Sequence, residues 1–251
     1  MEGGPYVGLR IWETDPESEP KPRQSFAKDL VGRFRSGYQV NDRPMSLEKW
    51  RVTTGDPAVA AAIVDLFGSE RDSKPQAWET KGEDNLEVFT SAPRVKIILD
   101  GPKAIRQEMV LWGRNTAIRR CDGVEQIGVD ADDKAKGSPC ECPAGYQDRK
   151  DAAKSGRGCA PSITTYFALA DAPDLGRFKF NSGSWSLVRD IVTTEKALTE
   201  IDGPALAWLG LEVVEYEVKA TGAKRSFTKP VIDVIDVIGA APVAEDDEPP
   251  Y

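Results

Sequence analysis

The sequence predicts an α+β fold made of two related lobes, each with an antiparallel sheet and one helix, and a four-cysteine insertion between them. Three observations support this prediction. The segment Gly32-Arg-Phe-Arg-Ser-Gly37 recurs as Gly176-Arg-Phe-Lys-Phe-Asn-Ser-Gly183. Each copy lies near a β-rich run that leads into a helix-like pattern. All four cysteines lie between the two copies, within residues 121–159.

The first predicted helix, near residues 57–67, has clear start signals. Asp56 can accept hydrogen bonds from the first free N–H groups, and Pro57 stands at the first helical position, where its missing donor costs nothing. The apolar residues that recur at helical spacing, and so indicate a core-facing side, are Val59, Ile63, Leu66 and Phe67. The strand-like runs that follow cover 77–80, 86–89 and 95–99.

The second half shows the same order of elements. Ser184 stands where Asp56 stands in the first half, ahead of a predicted helix near 185–200. Two strands, over 209–219 and 225–238, are then expected to pair as a hairpin around Ala220-Thr-Gly-Ala-Lys224.

Composition suggests the domain boundaries. Residues 1–25 are charged and proline-rich and are expected to form an extended arm, and the acidic tail over 241–251 is expected to be disordered. Between them we place a first lobe over 26–118, the insertion over 119–160 and a second lobe over 161–240. The apolar runs are far shorter than the ~18–20 residues that a bilayer-spanning helix requires.

The cysteines are the strongest candidate site. Four thiols in a segment rich in Gly, Pro, Asp and Lys can supply the sulfur ligands of a structural zinc ion, which would stabilise a loop that cannot form its own core. The candidate ligands are Cys121, Cys140, Cys142 and Cys159. Because a closed four-cysteine site leaves no position for water, it favours a structural role over metal catalysis.

Two other interpretations of the cysteines stay open. The spacing is not the paired CxxC of common zinc ribbons, and the thiols could instead form two disulfides or a redox pair at Cys140 and Cys142. Disulfides need an oxidising compartment. The N-terminus has no basic segment leading into an apolar stretch, so we expect no secretory signal and a reducing cytosol.

Charge argues against a solitary DNA-binding protein. Lys and Arg number 33 against 41 Asp and Glu, which gives a net charge of −8. A phosphate backbone repels such a protein unless one face is strongly basic. In the insertion, each basic residue is matched by an acidic one, so the insertion is a poor candidate for binding DNA by itself.

The sequence also lacks residue types and motifs that several classes of enzymatic reaction require. The chain has no histidine, which removes Ser-His-Asp and Cys-His triads and histidine-ligated metals. It also has neither GxGxxG nor GxxxxGK[ST]. We therefore predict no catalytic residues, no nucleotide cofactor and no enzymatic activity.

Between about Gly32 and Val237 the sequence resembles the recombination directionality factors of temperate actinobacterial (Streptomyces-type) phages, the partners of large serine integrases. The motifs that carry the resemblance are Arg119-Arg-Cys-Asp-Gly123, Cys140-Glu-Cys-Pro143 with Arg149-Lys150 and Cys159, the strand over 164–169, Leu175-Gly-Arg-Phe178 and the strand over 225–233.

The resemblance implies a non-enzymatic control protein in the cytoplasm of the bacterial host. Such a factor binds the serine integrase, including its coiled-coil arm, and reaches DNA only through it. Integrase alone joins attP to attB, whereas with the factor it recombines attL with attR and excises the prophage. The resemblance also implies that the four cysteines are zinc ligands.

A second class of function competes with this one: a zinc-containing nucleic-acid-binding module of phage replication or repair. Its stacking and phosphate-contacting surface would comprise Arg119, Arg120, Lys134, Lys136, Trp112 and Tyr146. Alternatively, those charges belong to a solvated loop and Trp112 is a core anchor. An enzyme that uses carboxylate chemistry is a third, weaker class.

Overall fold

The computed structural model describes residues 30–40, 43–69, 76–77, 84–201, 203–217 and 221–237. The arm predicted over 1–25 and the tail predicted over 241–251 lie outside the described residues. No helix within the described ranges is long and apolar enough to cross a membrane.

Eleven strands and three α-helices make up the described fold. In chain order they are β1 (Leu30–Val40), β2 (Arg43–Thr54), α1 (Pro57–Phe67), β3 (Gln76–Ala77), β4 (Leu86–Phe89), β5 (Arg94–Leu99), β6 (Ile105–Trp112), β7 (Ala117–Cys121), α2 (Tyr146–Lys154), β8 (Ala160–Leu169), β9 (Ala172–Ser182), α3 (Trp185–Glu200), β10 (Ala205–Glu217) and β11 (Lys224–Val237). The α+β class, both predicted helices and the β10–β11 hairpin are confirmed.

The division into two lobes with separate antiparallel sheets is not seen among the described strands. They form one mixed sheet in the order β11-β10-β5-β8-β9-β1-β2-β4-β3, with β6 beside β8 and β7 beside β6. Strands from the two halves meet where β1 and β9 run parallel, and also where β5 pairs with β8 and β10 and where β6 pairs with β8. Apart from β1–β9, the described pairs are antiparallel. The sequence halves therefore share a sheet.

The two Gly-Arg-Phe segments lie on this parallel pair of strands. Phe34 of β1 is in register with Phe180 of β9, and Arg33 is in register with Lys179. The repeat interpretation placed them at equivalent points of two lobes, but β2 separates β1 from α1, whereas β9 leads directly into α3. The recurrence reflects a shared alternation of basic and aromatic residues, which sends the aromatic rings of adjacent strands to the same face.

The core is built around Phe34. Its ring packs edge-on against Trp50, Phe167 and Phe178, with centroids 5.7, 5.3 and 5.6 Å away. Helices α1 and α3 add apolar side chains to the same cluster, among them Ile63 and Ile191. Because side chains alternate across a strand, the basic neighbours of Phe34 point to the opposite face of the sheet.

Gly32 allows three strands to approach one another closely. A Cβ atom there would lie 3.0 Å from the ring of Phe178 on β9 and 3.1 Å from the carbonyl oxygen of Thr53 on β2. With contacts this short, the ring of Phe178 or the backbone of Thr53 would have to move by a few tenths of an ångström. The glycine of this motif therefore favours close packing where β1 lies between β9 and β2.

The two helix starts differ in their capping. Asp56 caps α1 as predicted, because its Oδ1 accepts the N–H of Ala58 at 2.8 Å. Ser184 lies at the N-cap position of α3, but its side chain makes no capping hydrogen bond. Its hydroxyl instead lies 2.7 Å from the hydroxyl of Ser186. The prediction of a side-chain cap is therefore correct for α1 and wrong for α3.

We expect Asp56→Ala to lower the free energy of unfolding by about 0.5–2 kcal/mol, because the first turn of α1 loses its acceptor. Asp65→Ala in the same helix is the matched control and should change stability little, because Asp65 is exposed. Urea denaturation of the two variants measures the difference. Equal stabilities of the two variants would contradict this role for Asp56.

Candidate metal centre

The sheet brings the first and last cysteines together. Cys121 ends β7, and Cys159 immediately precedes β8. Both strands pair with β6, where Met109 is in register with Cys121 on one side and Pro161 on the other. The chain between the two cysteines therefore leaves the sheet and returns to it at nearly the same place.

This insertion has no apolar core. From 122 to 158, where every residue is described, no apolar side chain is buried, and Val124 is 73% exposed. Short hydrogen-bonded turns shape the chain instead. Oδ1 of Asp122 accepts the N–H groups of Val124 and Glu125, both at 2.8 Å, and Asp133 accepts those of Val129 and Ala135. Such turns give little hydrophobic stabilisation, so the insertion depends on another source of stability.

The four cysteines converge at the base of the insertion. Their Sγ atoms all lie within 4.8 Å of one another, with Cys121 and Cys159 buried and Cys140 and Cys142 partly buried. A tetrahedral site with metal–sulfur bonds of about 2.3 Å would separate its sulfurs by roughly 3.8 Å. The four thiols could therefore hold a metal ion after a small contraction, and such a set would leave no ligand position for a substrate.

Backbone contacts fix the two inner cysteines. The N–H of Cys140 donates to the carbonyl oxygen of Val124 at 2.6 Å, which anchors the CxC step to the preceding turn. The N–H of Cys159 points at Sγ of Cys142, 3.4 Å away. An N–H group directed at sulfur stabilises the thiolate, the form that binds metal.

Arg119 supplies the positive charge of the site. A hydrogen bond to Cys159 raises the pKa of Arg119, and the guanidinium also pairs with Glu141. For Cys142, burial alone would raise the thiol pKa, but the N–H of Cys159 and the charge of Arg119 contribute to lowering it overall. Burial raises the pKa of both Cys121 and Cys159. Cys142 therefore lies in a different electrostatic environment from Cys121 and Cys159.

Helix α2 connects the insertion to the rest of the fold. The Tyr146 hydroxyl donates to the carbonyl oxygen of Trp185 at 2.8 Å, and the two rings pack edge to face with centroids 5.4 Å apart. Arg149 donates to the carbonyl oxygen of Gly123 at 2.7 Å. One helix thus contacts both the turn after Cys121 and the start of α3.

Several residues that were expected to form a nucleic-acid-binding surface contact other residues of the protein instead. Arg119 pairs with Glu141, Arg120 with Glu108, and Tyr146 with Trp185. Trp112 is 60% exposed, so it is not a core anchor. Three of the six residues proposed for that surface therefore already have partners within the protein.

A family model described as Gp3-like, recombination directionality factor-like, matches residues 31–235, which is most of the chain. The chain belongs to this family. The chain is thus related to regulators that act with a recombinase, rather than to catalysts. No solved structure matches the chain.

A cationic groove, which the sequence did not predict, lies on the face of the sheet opposite the core helices. We define the cationic groove by Arg33, Arg35, Arg51 and Lys179, which line it together. The signal was present in the two recurring segments, where basic residues alternate with phenylalanines. It was interpreted as a repeat because sequence alone does not show that β1 and β9 are neighbours.

We expect Tyr146→Phe to loosen the contact between α2 and α3 while the ring packing remains. The lost hydrogen bond is partly exposed, so the local cost should be about 0.5–1.5 kcal/mol. Hydrogen exchange of residues 146–154 should become faster. Tyr216→Phe is the control, because the Tyr216 hydroxyl makes no hydrogen bond to the described residues. Unchanged exchange in Tyr146→Phe would show that the hydroxyl does not hold the insertion.

Proposed function

We propose that this chain is the recombination directionality factor of a phage serine integrase. It binds the integrase on DNA, including the coiled-coil arm, activates recombination of attL with attR and inhibits recombination of attP with attB. The observation that carries the proposal is the family match over residues 31–235. The family match indicates a recombinase as the partner. The sequence motifs resemble those of factors that act with serine integrases, so we propose a serine integrase as the recombinase.

The factor acts by binding rather than by chemistry. A ligand shifts an equilibrium between two arrangements of its partner by as much as its affinities for them differ. A difference of about 2.7 kcal/mol changes the ratio of productive to unproductive synapses roughly a hundredfold. Partner binding alone can supply that much, so direction control requires no catalytic residue in the factor.

DNA is contacted only indirectly, through the integrase, in the host cytoplasm. The net charge of −8 supports this part of the proposal, because a net-acidic protein gains little from releasing the counterions of DNA. The ion pairs of Arg119 and Arg120 further support it, since those side chains are already engaged within the protein.

We further propose that Cys121, Cys140, Cys142 and Cys159 bind one structural zinc ion. Zinc suits four sulfur ligands, the four Sγ atoms lie within 4.8 Å of one another, and the missing apolar core explains why the insertion would need the metal. Four thiolates around Zn²⁺ carry a net charge of −2, which Arg119 partly offsets. Residues 119–160 are then a zinc-stabilised insertion between segments 26–118 and 161–240, whose described strands share one sheet.

We expect the purified protein to contain one zinc per chain, and Cys142→Ser to contain far less. The variant should become sensitive to proteases within 122–158, while the core around Phe34 stays folded because that cluster of buried residues does not include the four cysteines. Elemental analysis and limited proteolysis measure both effects. Ser155→Ala, an exposed change in the same insertion, is the control.

A protein that contains no metal after expression with adequate zinc would contradict the zinc proposal. So would two disulfides in protein purified from the cytosol.

The directing activity is tested by recombination in vitro with purified cognate integrase. Near-stoichiometric factor should switch on attL × attR recombination and suppress attP × attB, and the factor alone should not retard any of the four DNA sites at physiological salt. Bovine serum albumin at the same concentration controls for nonspecific protein effects. If excision is no better with the factor, and the factor alone retards bare DNA, the nucleic-acid module becomes the better account.

A further inference from the structure

Arg119 approaches the cysteine cluster from the strand that carries Cys121. The two residues are two positions apart on β7, so their side chains leave the strand on the same side. Strand β6 holds β7 in place, with Leu111 in register with Arg119 and Met109 in register with Cys121. The backbone of Arg119 is therefore fixed beside the cluster.

The guanidinium of Arg119 is nearly buried. The side chain of Arg119 is 11% exposed, whereas that of its partner Glu141 is 79% exposed. A carboxylate that is this open to water compensates a buried charge poorly, because water screens the pair. A buried cation needs an anionic partner in its own environment. The sulfur cluster beside Arg119 can provide that partner once its thiols become thiolates.

Two contacts join Arg119 to the other segments that carry cysteines. Its Nη1 donates to Oε2 of Glu141 at 2.5 Å, and Glu141 is the residue between Cys140 and Cys142. The side chain also makes a hydrogen bond to Cys159, which immediately precedes β8. One guanidinium thus connects β7, the CxC step and the start of β8.

A further donor of the same guanidinium is unused. Nε of Arg119 is buried and has no hydrogen-bond partner among the residues that the structure describes. An unpaired buried donor is destabilising. Thiolates accept hydrogen bonds more strongly than neutral thiols do, because they carry a full negative charge. Metal-bound thiolates would therefore satisfy Arg119 better than the four thiols can.

The more open side of the cluster is the side of the CxC step. Cys121 and Cys159 are buried, whereas Cys140 and Cys142 are only partly buried. Water and competing chelators therefore reach the inner two sulfurs first. Because Glu141 lies between those two cysteines, its pair with Arg119 ties the open side of the cluster to the buried side.

We propose that Arg119 is a positioning residue of the metal centre, which holds the Cys140-Glu141-Cys142 step closed over the ion and donates a hydrogen bond to the Cys159 thiolate. The inference rests on the proposed zinc site. Groups that hydrogen-bond to metal ligands orient those ligands and tune the metal. A planar guanidinium presents donors in fixed directions to a carboxylate and a sulfur at once, whereas a lysine ammonium is a point charge on a flexible stem.

Competition with a chromophoric chelator measures the zinc affinity of the full-length protein. We expect Arg119→Gln to lower that affinity about 10–100-fold, as is typical when a group that supports a metal ligand is lost. Arg119→Lys keeps the charge and should recover only part of the loss. Arg157→Gln is the matched control and should change the affinity less than about twofold, because Arg157 is exposed and its described side-chain hydrogen bond goes to Ser155.

A double-variant cycle tests the pairing with Glu141. Glu141→Gln alone should also weaken zinc binding. The double variant Arg119→Gln/Glu141→Gln should bind zinc no more weakly than Arg119→Gln, because both changes remove the same contact. Losses that simply add would contradict the closing role of the pair.

Cobalt substitution reports on the hydrogen bond to sulfur. Co²⁺ in a tetrahedral sulfur site gives a thiolate-to-metal charge-transfer band, and a hydrogen bond that stabilises the sulfur electrons raises its energy. Arg119→Gln should therefore move the band to longer wavelength, while Arg157→Gln should leave it in place. A purely structural role for Arg119 would not move the band.

Unchanged zinc affinity and an unchanged cobalt band in Arg119→Gln would overturn the inference, and the proposed zinc site would stand if the wild-type protein binds zinc. An equal loss in Arg157→Gln would also overturn it, since any nearby charge would then suffice. If Arg119→Gln does not fold, Arg119→Lys and Glu141→Gln decide, and wild-type affinity in both rejects the inference. If the wild-type protein binds neither metal, the zinc site and this inference both fail, whereas the recombination assay tests direction control separately.

Discussion

The parallel pairing of β1 with β9 is the contact on which the aromatic core depends. Together with the pairing of β5 with β8 and β10 and of β6 with β8, it joins the two halves of the chain into one sheet, and it places Phe34 beside Phe180. The same register places Arg33 beside Lys179 on the opposite face. Parallel strands from distant parts of a chain pair only after a long loop closes, so this junction carries a large entropic cost. The core around Phe34 offsets that cost, and the charged face is a consequence of the same alternation.

The insertion is stabilised by different physics from the rest of the chain. The sheet buries apolar side chains, whereas residues 122–158 bury none and depend on turns, the α2 contact with Trp185 and the sulfur cluster. Burial raises the pKa of the Cys121 and Cys159 thiols, whereas the N–H of Cys159 and the charge of Arg119 help to lower the pKa of Cys142, so these thiols are unequal. A bound cation would remove that inequality by converting all four to thiolates.

Local signals predicted local structure well. Asp56 and Pro57 predicted the start of α1, and the clustering of all four cysteines in one segment predicted their convergence.

The long-range arrangement of the strands was not predictable in the same way. Gly32 and Gly176 look equivalent in sequence, yet Gly32 is required by close packing, and Gly176 has a φ of 106° that favours glycine. The two glycines of the recurring Gly-Arg-Phe motif are thus explained by different constraints, close packing for one and backbone conformation for the other. Because strand pairing between distant segments leaves no local signature, neither the single sheet nor the cationic groove could be derived from the motif.

The central claim is that this protein acts through a direct complex with its recombinase, without first binding DNA. Light scattering of the purified factor mixed with purified cognate serine integrase, in the absence of DNA, tests that claim most directly. The account predicts a complex of defined stoichiometry that persists at physiological salt. Two separate species, together with retention of the factor on bare attachment-site DNA, would contradict it.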